Sequence, residues 1–231
     1  MTQIDIRSVS NSSIEARSSE LSTAILHTPT VPLQSPLIFQ KIKGCRVHLK
    51  LECLQHTGTF KARGALSVAH QIPQHKRHLG ITAASAGNHA IAAAWAAQQL
   101  GLSAKVVMQS SANPFRIARA RARQAEVILK PAGAATFGEA ERLVQEEGRT
   151  FIHPFEGLDT TLGTAGVGLE FLTDVPDLDA LVIAVGGGGS AASLFYAGGG
   201  FCKIWDFVRY ENWGEGGKFA ATPAWRPQLA L

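Results

Sequence analysis

Three short stretches carry residue types that can do chemistry. Thr57–Gly64 (TGTFKARG) sets Lys61 behind an aromatic residue, between glycines, at the start of a helical stretch. A lysine held there beside an apolar ring loses hydration. Its pKa falls, and the neutral amine can act as a nucleophile. A surface lysine is the plainer reading of the same letters. Ser85–His89 (SAGNH) combines a hydroxyl, a glycine and an amide. Ser85 and the N–H groups around Gly87 can hold a carboxylate at the positive end of a helix. Asn88 can donate to a phenolate-type oxygen, although simple helix capping uses the same residues. His89 alone reads as a packed or surface histidine. Gly186–Gly189 supplies four successive backbone N–H groups with no side chain in the way, which suits an anion such as phosphate. A turn is the alternative. Gly186, Gly188 and Ala191 also satisfy G-x-G-x-x-G/A with Asp206 downstream, the pattern of a nicotinamide-nucleotide site.

These stretches fall at junctions between elements. Val47–Leu51 alternates like a half-buried strand, His56–Thr59 reads as a turn, and a helix is expected from Lys61 to Gln71. From Gly80 the order is regular. Strands are expected at Gly80–Ala84, Ala104–Met108, Glu126–Leu129, Thr150–His153 and Ala180–Val185. Helices are expected at Asn88–Leu100, Pro114–Gln124 (capped by Asn113), Thr136–Glu147 and Leu162–Thr173. Such alternation means βαβ units, parallel sheets and helices on both faces. Ligands in such folds bind at the C-terminal ends of strands, where all three junctions lie. The first twenty or so residues are polar and are expected to be mobile.

The 231 residues are 45% apolar and 17% charged, a composition of soluble α/β proteins. The net charge of +4 prompts a search for a basic stripe. Arg116, Arg119 and Arg123 share a helix face while Arg121 points elsewhere. No aromatic residues interleave with them, so a solvated face is expected and nucleic acid is not. Cys45, Cys53 and Cys202 have no metal spacing, and their odd number fits a reducing cytoplasm. No signal peptide or membrane span is read, and no metal site is expected.

Taken together and in order, the junctions resemble the fold-type-II pyridoxal-phosphate enzymes, which include threonine and serine dehydratases and the tryptophan synthase β-chain. LKLECLQHTGTFKARGA looks like the family's strand and cofactor-lysine segment, TAASAGNHA like its substrate and ring loop, and LVIAVGGGGS like its phosphate loop. HPFEG (His153–Gly157) and GLE (Gly168–Glu170) look like the dehydratase branch. The resemblance runs from about Thr28 to Ser193.

Its implications are specific. Lys61 is the Schiff-base lysine, Phe60 packs beside the cofactor ring, and Asn88 bonds the ring's phenolic oxygen. Gly186, Gly187, Gly188 and Gly189 cradle the phosphate, and Ser85, Ala86 and Gly87 bind the substrate carboxylate. Racemases of the family carry a serine in the pattern SSGNH as a second proton carrier. Ala86 cannot move a proton, so elimination of ammonia from a β-hydroxy amino acid is expected rather than racemisation. The resemblance also implies a homo-oligomer and two domains. Residues 80–152 form a small domain inserted into a large one made of 1–79 and 153–195.

After Ser193 the family's text stops. Residues 196–231 hold both tyrosines, Trp205, Trp213 and Trp225, and no regular period. The expectation is an incomplete large domain with a divergent or frame-changed tail. An inactive remnant is the main alternative, and a nicotinamide-dependent oxidoreductase the distant one.

Overall fold

The computed structural model describes residues 9–41, 44–185 and 208–209. Its centre is a parallel sheet of four strands: β3 (Ile81–Ala84), β4 (Ala104–Gln109), β5 (Glu126–Lys130) and β6 (Thr150–Phe151), in the order β5-β4-β3-β6. The crossovers are α4 (Asn88–Gln99), α5 (Pro114–Arg121) and α6 (Ala134–Glu147). All four residues of β3 are buried, as a strand covered on both faces requires. On one face Ile81, Ala83, Val106 and Met108 join Ile91 of α4 and Ile117 of α5. On the other, Ala84 and Val107 meet Ala140 and Leu143 of α6. The fold class is therefore the α/β arrangement that the alternation implied.

Local chemistry sets the element ends. Asn113 accepts the Phe115 N–H through its side chain, with Pro114 in the first turn of α5. Gly148 closes α6 in the left-handed region. Nine consecutive residues of α4, His89 to Ala97, are buried, and its alanines let neighbours approach from every side.

The chain order reverses once within this sheet. Strands run outward from β3 through β4 to β5, and α6 then carries the chain back to β6 on the other side of β3. In open α/β sheets the ligand crevice is expected at such a reversal, here beyond the C-terminal ends of β3 and β6. At the opposite ends, the Thr150 N–H donates to the Gly80 carbonyl at 3.0 Å, so the chain enters and leaves the sheet side by side.

Helix α3 (Lys61–His70) packs between α4 and α7 (Leu158–Asp174). The α3–α7 crossing needs glycine. A Cβ on Gly163 would stand 2.4 Å from the Ser67 Cβ and 2.7 Å from the Arg63 carbonyl. Before α3 come α1 (Asn11–Leu21), β1 (Thr30–Pro32), α2 (Pro36–Lys41) and β2 (His48–Lys50), with β1 and β2 antiparallel. Arg63 and Lys50 tie these parts together from buried positions. Arg63 donates to Glu52 and Glu170 at 2.7–2.9 Å, and Lys50 lies 3.0 Å from Glu170 and Asp174. Burial opposes the charge on Glu170, but Arg63 and Lys50 overcome it and hold its pKa below the ordinary value.

Four expectations need correction. Within the polar N-terminal stretch, Asn11–Leu21 is an ordered helix: Ser10 caps α1, Ile14 packs on Leu162 and Ala165, and Arg17 lies 3.0 Å from Asp159, while residues 1–8 lie outside the described residues. Two apolar residues one stripe apart suffice to bury one face, and the polar majority hides them. Helix α7 begins at Leu158, four residues early, because Gly157 turns the chain at φ +104°. The strand expected at Ala180–Val185 is confined to β7 (Ala184–Val185), which pairs in parallel with β8 (Val208–Arg209) in the tail where no period was read. Leu181 and Ile183 are buried while Val182 is 76% exposed, so the apolar run packs on one side only. The arginine face is not simply solvated either. Arg119 donates to the Thr57 carbonyl at 3.0 Å and Arg123 to Gln98 at 3.3 Å, while Arg121 is exposed. Among the described residues no helix is long and apolar enough to cross a membrane.

Candidate active site

Lys61 is the first residue of α3, and its N–H donates to Thr59 Oγ1 at 3.1 Å. The preceding turn is held from several sides. Gln55 exchanges hydrogen bonds with the Leu26 backbone, Thr57 takes a left-handed φ of +68°, and Arg119 of α5 grips the Thr57 carbonyl. Phe60 leans on the apolar cluster of Val167 and Phe171 from α7. The Lys61 Nζ lies 4.9 Å from the centre of the Phe60 ring and donates to the Pro154 carbonyl, just past β6. The amine therefore sits at the C-terminal end of β6, beside the crevice where strand order reverses. Burial lowers its pKa, and among the described residues no carboxylate pairs with it.

The Ser85–His89 loop follows β3 at the same end of the sheet. Ser85 Oγ accepts the Gly87 N–H at 3.2 Å, and Gly87 precedes the first turn of α4. Asn88 is exposed, and its side chain makes no hydrogen bond among the described residues. Ala86 is half-buried against the main core. The Arg116 guanidinium lies over Gly87, where an added Cβ would come within 2.7 Å of its Nη1. His89 is buried, with Nε2 2.8 Å from the Ile152 carbonyl. Burial pulls its pKa down to about 4; the Ile152 carbonyl opposes this, and the charges of Lys61 and His153 add to it. His153 is half-buried and also lowered by burial, with Glu156 acting against and Lys61 with that shift.

Lys61 and Phe60, past the end of β6, and the Ser85–Asn88 loop, past the end of β3, thus lie at the C-terminal ends of neighbouring strands, although they come from two segments of the chain. Gly186–Gly189 lie outside the described residues, as do Ala191, Asp206 and, apart from β8, the tail 196–231. Sequence reading passed over Pro154, Arg119 and the contact of His89. Pro154 acts through a backbone carbonyl, and Arg119 acts on one, so neither leaves a side-chain pattern. The text HPFEG was the available signal.

A half-buried, unpaired amine at the crevice of a parallel α/β sheet suits enzymes that condense a lysine with a carbonyl compound. The match to known proteins sharpens this. Residues 21–197 match the family described as pyridoxal-phosphate dependent enzyme, and the chain belongs to that family. It is 45% identical over 165 residues to the phenylserine dehydratase of Ralstonia pickettii, covering 71% of this chain and 51% of that one. It is 39% identical over 152 residues to the L-threonine ammonia-lyase of Thermotoga maritima, covering 65% and 38%. Among solved structures, the T.th. threonine deaminase superposes with a TM-score of 0.73 at 37% identity, over 81% of this chain and 60% of that one. The chain spans about half the length of the curated relatives it matches. Family membership displaces the nicotinamide-dependent alternative.

The described residues fit the family's cofactor. An aldehyde needs an amine that can give up its proton and is not locked to an acid; burial lowers the Lys61 pKa, and among the described residues no carboxylate pairs with it. A cofactor with a phenolic oxygen needs a free donor, and Asn88 is available at the mouth of α4.

Proposed function

We propose that this chain carries the lysine, ring and substrate-binding segments of an ammonia-lyase that converts a β-hydroxy amino acid to a 2-oxo acid and ammonia. The desolvated Lys61 amine, resting on the Pro154 carbonyl without an acidic partner, is the observation that carries this reading. Pyridoxal phosphate, when bound, supplies an electron sink for the charge left at Cα.

The chain's own residues supply the rest. Lys61 would hold the cofactor and, as the free amine, would take the proton from Cα. Phe60 keeps one side of the amine dry. Asn88 donates to the cofactor's phenolic oxygen, and Gly186–Gly189 receive its phosphate. Ser85, Ala86 and Gly87 hold the substrate carboxylate at the start of α4. Ala86 has no proton to exchange, which favours elimination over racemisation. We include in the same reading a cytoplasmic homo-oligomer acting on a small amino acid, without nucleic acid. The small domain is residues 80–152, set into a larger one built from 1–79 and 153–195. The family resemblance supports these last points.

Borohydride reduction of the cofactor-loaded protein followed by peptide mapping tests the reading. A pyridoxyl group on Lys61, with ammonia released from L-threonine, L-serine or phenylserine, is expected. Label on another lysine with none on Lys61, or D-serine formed faster than ammonia, overturns it.

A further inference from the structure

Pairing of β6 with β3 ends at Phe151 opposite Thr82. Ile152 still donates its N–H to the Thr82 carbonyl at 2.9 Å, but its own carbonyl turns to His89, 2.8 Å away. A carbonyl only accepts, so the His89 nitrogen facing it carries the proton. His153 then folds the chain back, its Nδ1 accepting the N–H groups of Phe155 at 3.4 Å and Glu156 at 2.9 Å. Between them stands Pro154, whose ring fixes φ and whose carbonyl faces Lys61. Each residue from Ile152 to Glu156 is thus restrained by the sheet, by a histidine or by its own ring. Of these restraints, His89 alone comes from the segment that follows β3.

We propose that His89 is a positioning residue for Lys61: by holding the Ile152 carbonyl it fixes the Pro154 carbonyl against which the amine rests when it is free of the cofactor. This rests on Lys61 being the cofactor lysine. An amine that takes a proton from Cα must be aimed, and a carbonyl acceptor aims it without neutralising it as a carboxylate would. The His89 Nε2 is taken up by the Ile152 carbonyl, so the residue acts through that contact. It links SAGNH to the lysine through the end of β6, so the two motifs keep one geometry although they lie on separate segments.

Two polar substitutions of the cofactor-loaded protein separate this role from simple packing. In His89→Gln the amide can still reach the Ile152 carbonyl, whereas in His89→Asn it falls short. His89→Asn is expected to lower kcat by about 10- to 100-fold, the loss that a displacement of roughly 1 Å produces, with KM within about threefold. His89→Gln should restore kcat to within about threefold of the parent. Borohydride-fixed label on Lys61 should be equal in all three proteins, since holding the cofactor does not depend on the aim of the free amine. Equal kcat in the Gln and Asn variants, whether both high or both low, overturns the proposal. So does a loss of label that is the same in both. Absence of label on Lys61 in the parent instead overturns the assignment of the lysine.

Discussion

The Lys61 ammonium and the Pro154 carbonyl meet across 93 positions of the chain, joining the first turn of α3 to the end of β6. The contact is polar on one side and faces the Phe60 ring on the other. A cation so placed gives up water and receives one carbonyl in return, which is why burial lowers its pKa. Burial there disfavours the charged form of the amine, a shift of the kind that functional sites use.

Lys61 should therefore be dispensable for folding and indispensable for turnover. Lys61→Met is expected to abolish pyridoxyl labelling and to cut ammonia release by about a thousandfold or more. Its melting temperature should equal or exceed the parent's, because a costly buried amine is replaced by an apolar chain of similar length. Near-parental turnover in Lys61→Met, measured by ammonia release, contradicts the assignment.

Acid should weaken the fold at a defined pH. The pKa of His89 is about 4 in the folded chain against an ordinary 6.5, so between these values the unfolded chain binds the extra proton. Stability from this group is complete above about pH 6.5 and is lost as pH falls through 4, roughly 3 kcal/mol in all. Denaturant melts of the parent and His89→Gln at intervals across this range measure the difference. The gap between the two proteins should narrow or invert towards pH 4, and a pH-independent gap refutes the linkage.

Gly163 should tolerate no side chain. Gly163→Ala sets a methyl against Ser67 and the Arg63 carbonyl, both on α3. Overpacking of this kind costs about 1–3 kcal/mol. Because α3 begins at Lys61, cofactor labelling should fall along with the denaturation midpoint. An unchanged midpoint shows that the helices separate freely.

Arg63 is 2% exposed and faces Glu52 and Glu170. Arg63→Met strands the Glu52 carboxylate and leaves Glu170 with Lys50 alone, at a cost of about 3–5 kcal/mol. Adding Glu52→Gln and Glu170→Gln should recover most of that loss, since the penalty comes from uncompensated charge. Urea midpoints of the single and triple variants decide it, and a triple variant as weak as the single refutes the explanation.

Legibility followed the range of the interactions. The units from β3 to β6 were readable because apolar alternation, Asn113–Pro114 and Gly148 act within a few residues of one another. The crevice was readable too, since SAGNH and TGTFKARG each sit at a junction. Helix α1 was missed because its burial depends on Leu162 and Ala165 of α7. The need for glycine at 163 was likewise invisible, for it comes from Ser67 on another helix. Backbone partners such as the Pro154 and Ile152 carbonyls have no residue type to announce them. His89 was visible as a residue and hidden as a contact.

The bond between Thr150 and Gly80 has a consequence for chain entropy. Everything between those residues is a loop whose ends the fold already holds together, so the closure cost is met by the sheet rather than by the rest of the molecule. Such a segment can be exchanged as one piece where the replacement also covers α3, which shares its core with α4. The lysine stays with the part left behind and the SAGNH loop leaves with the part removed. A gene that exchanged this one piece would keep the reactive amine and change what it meets.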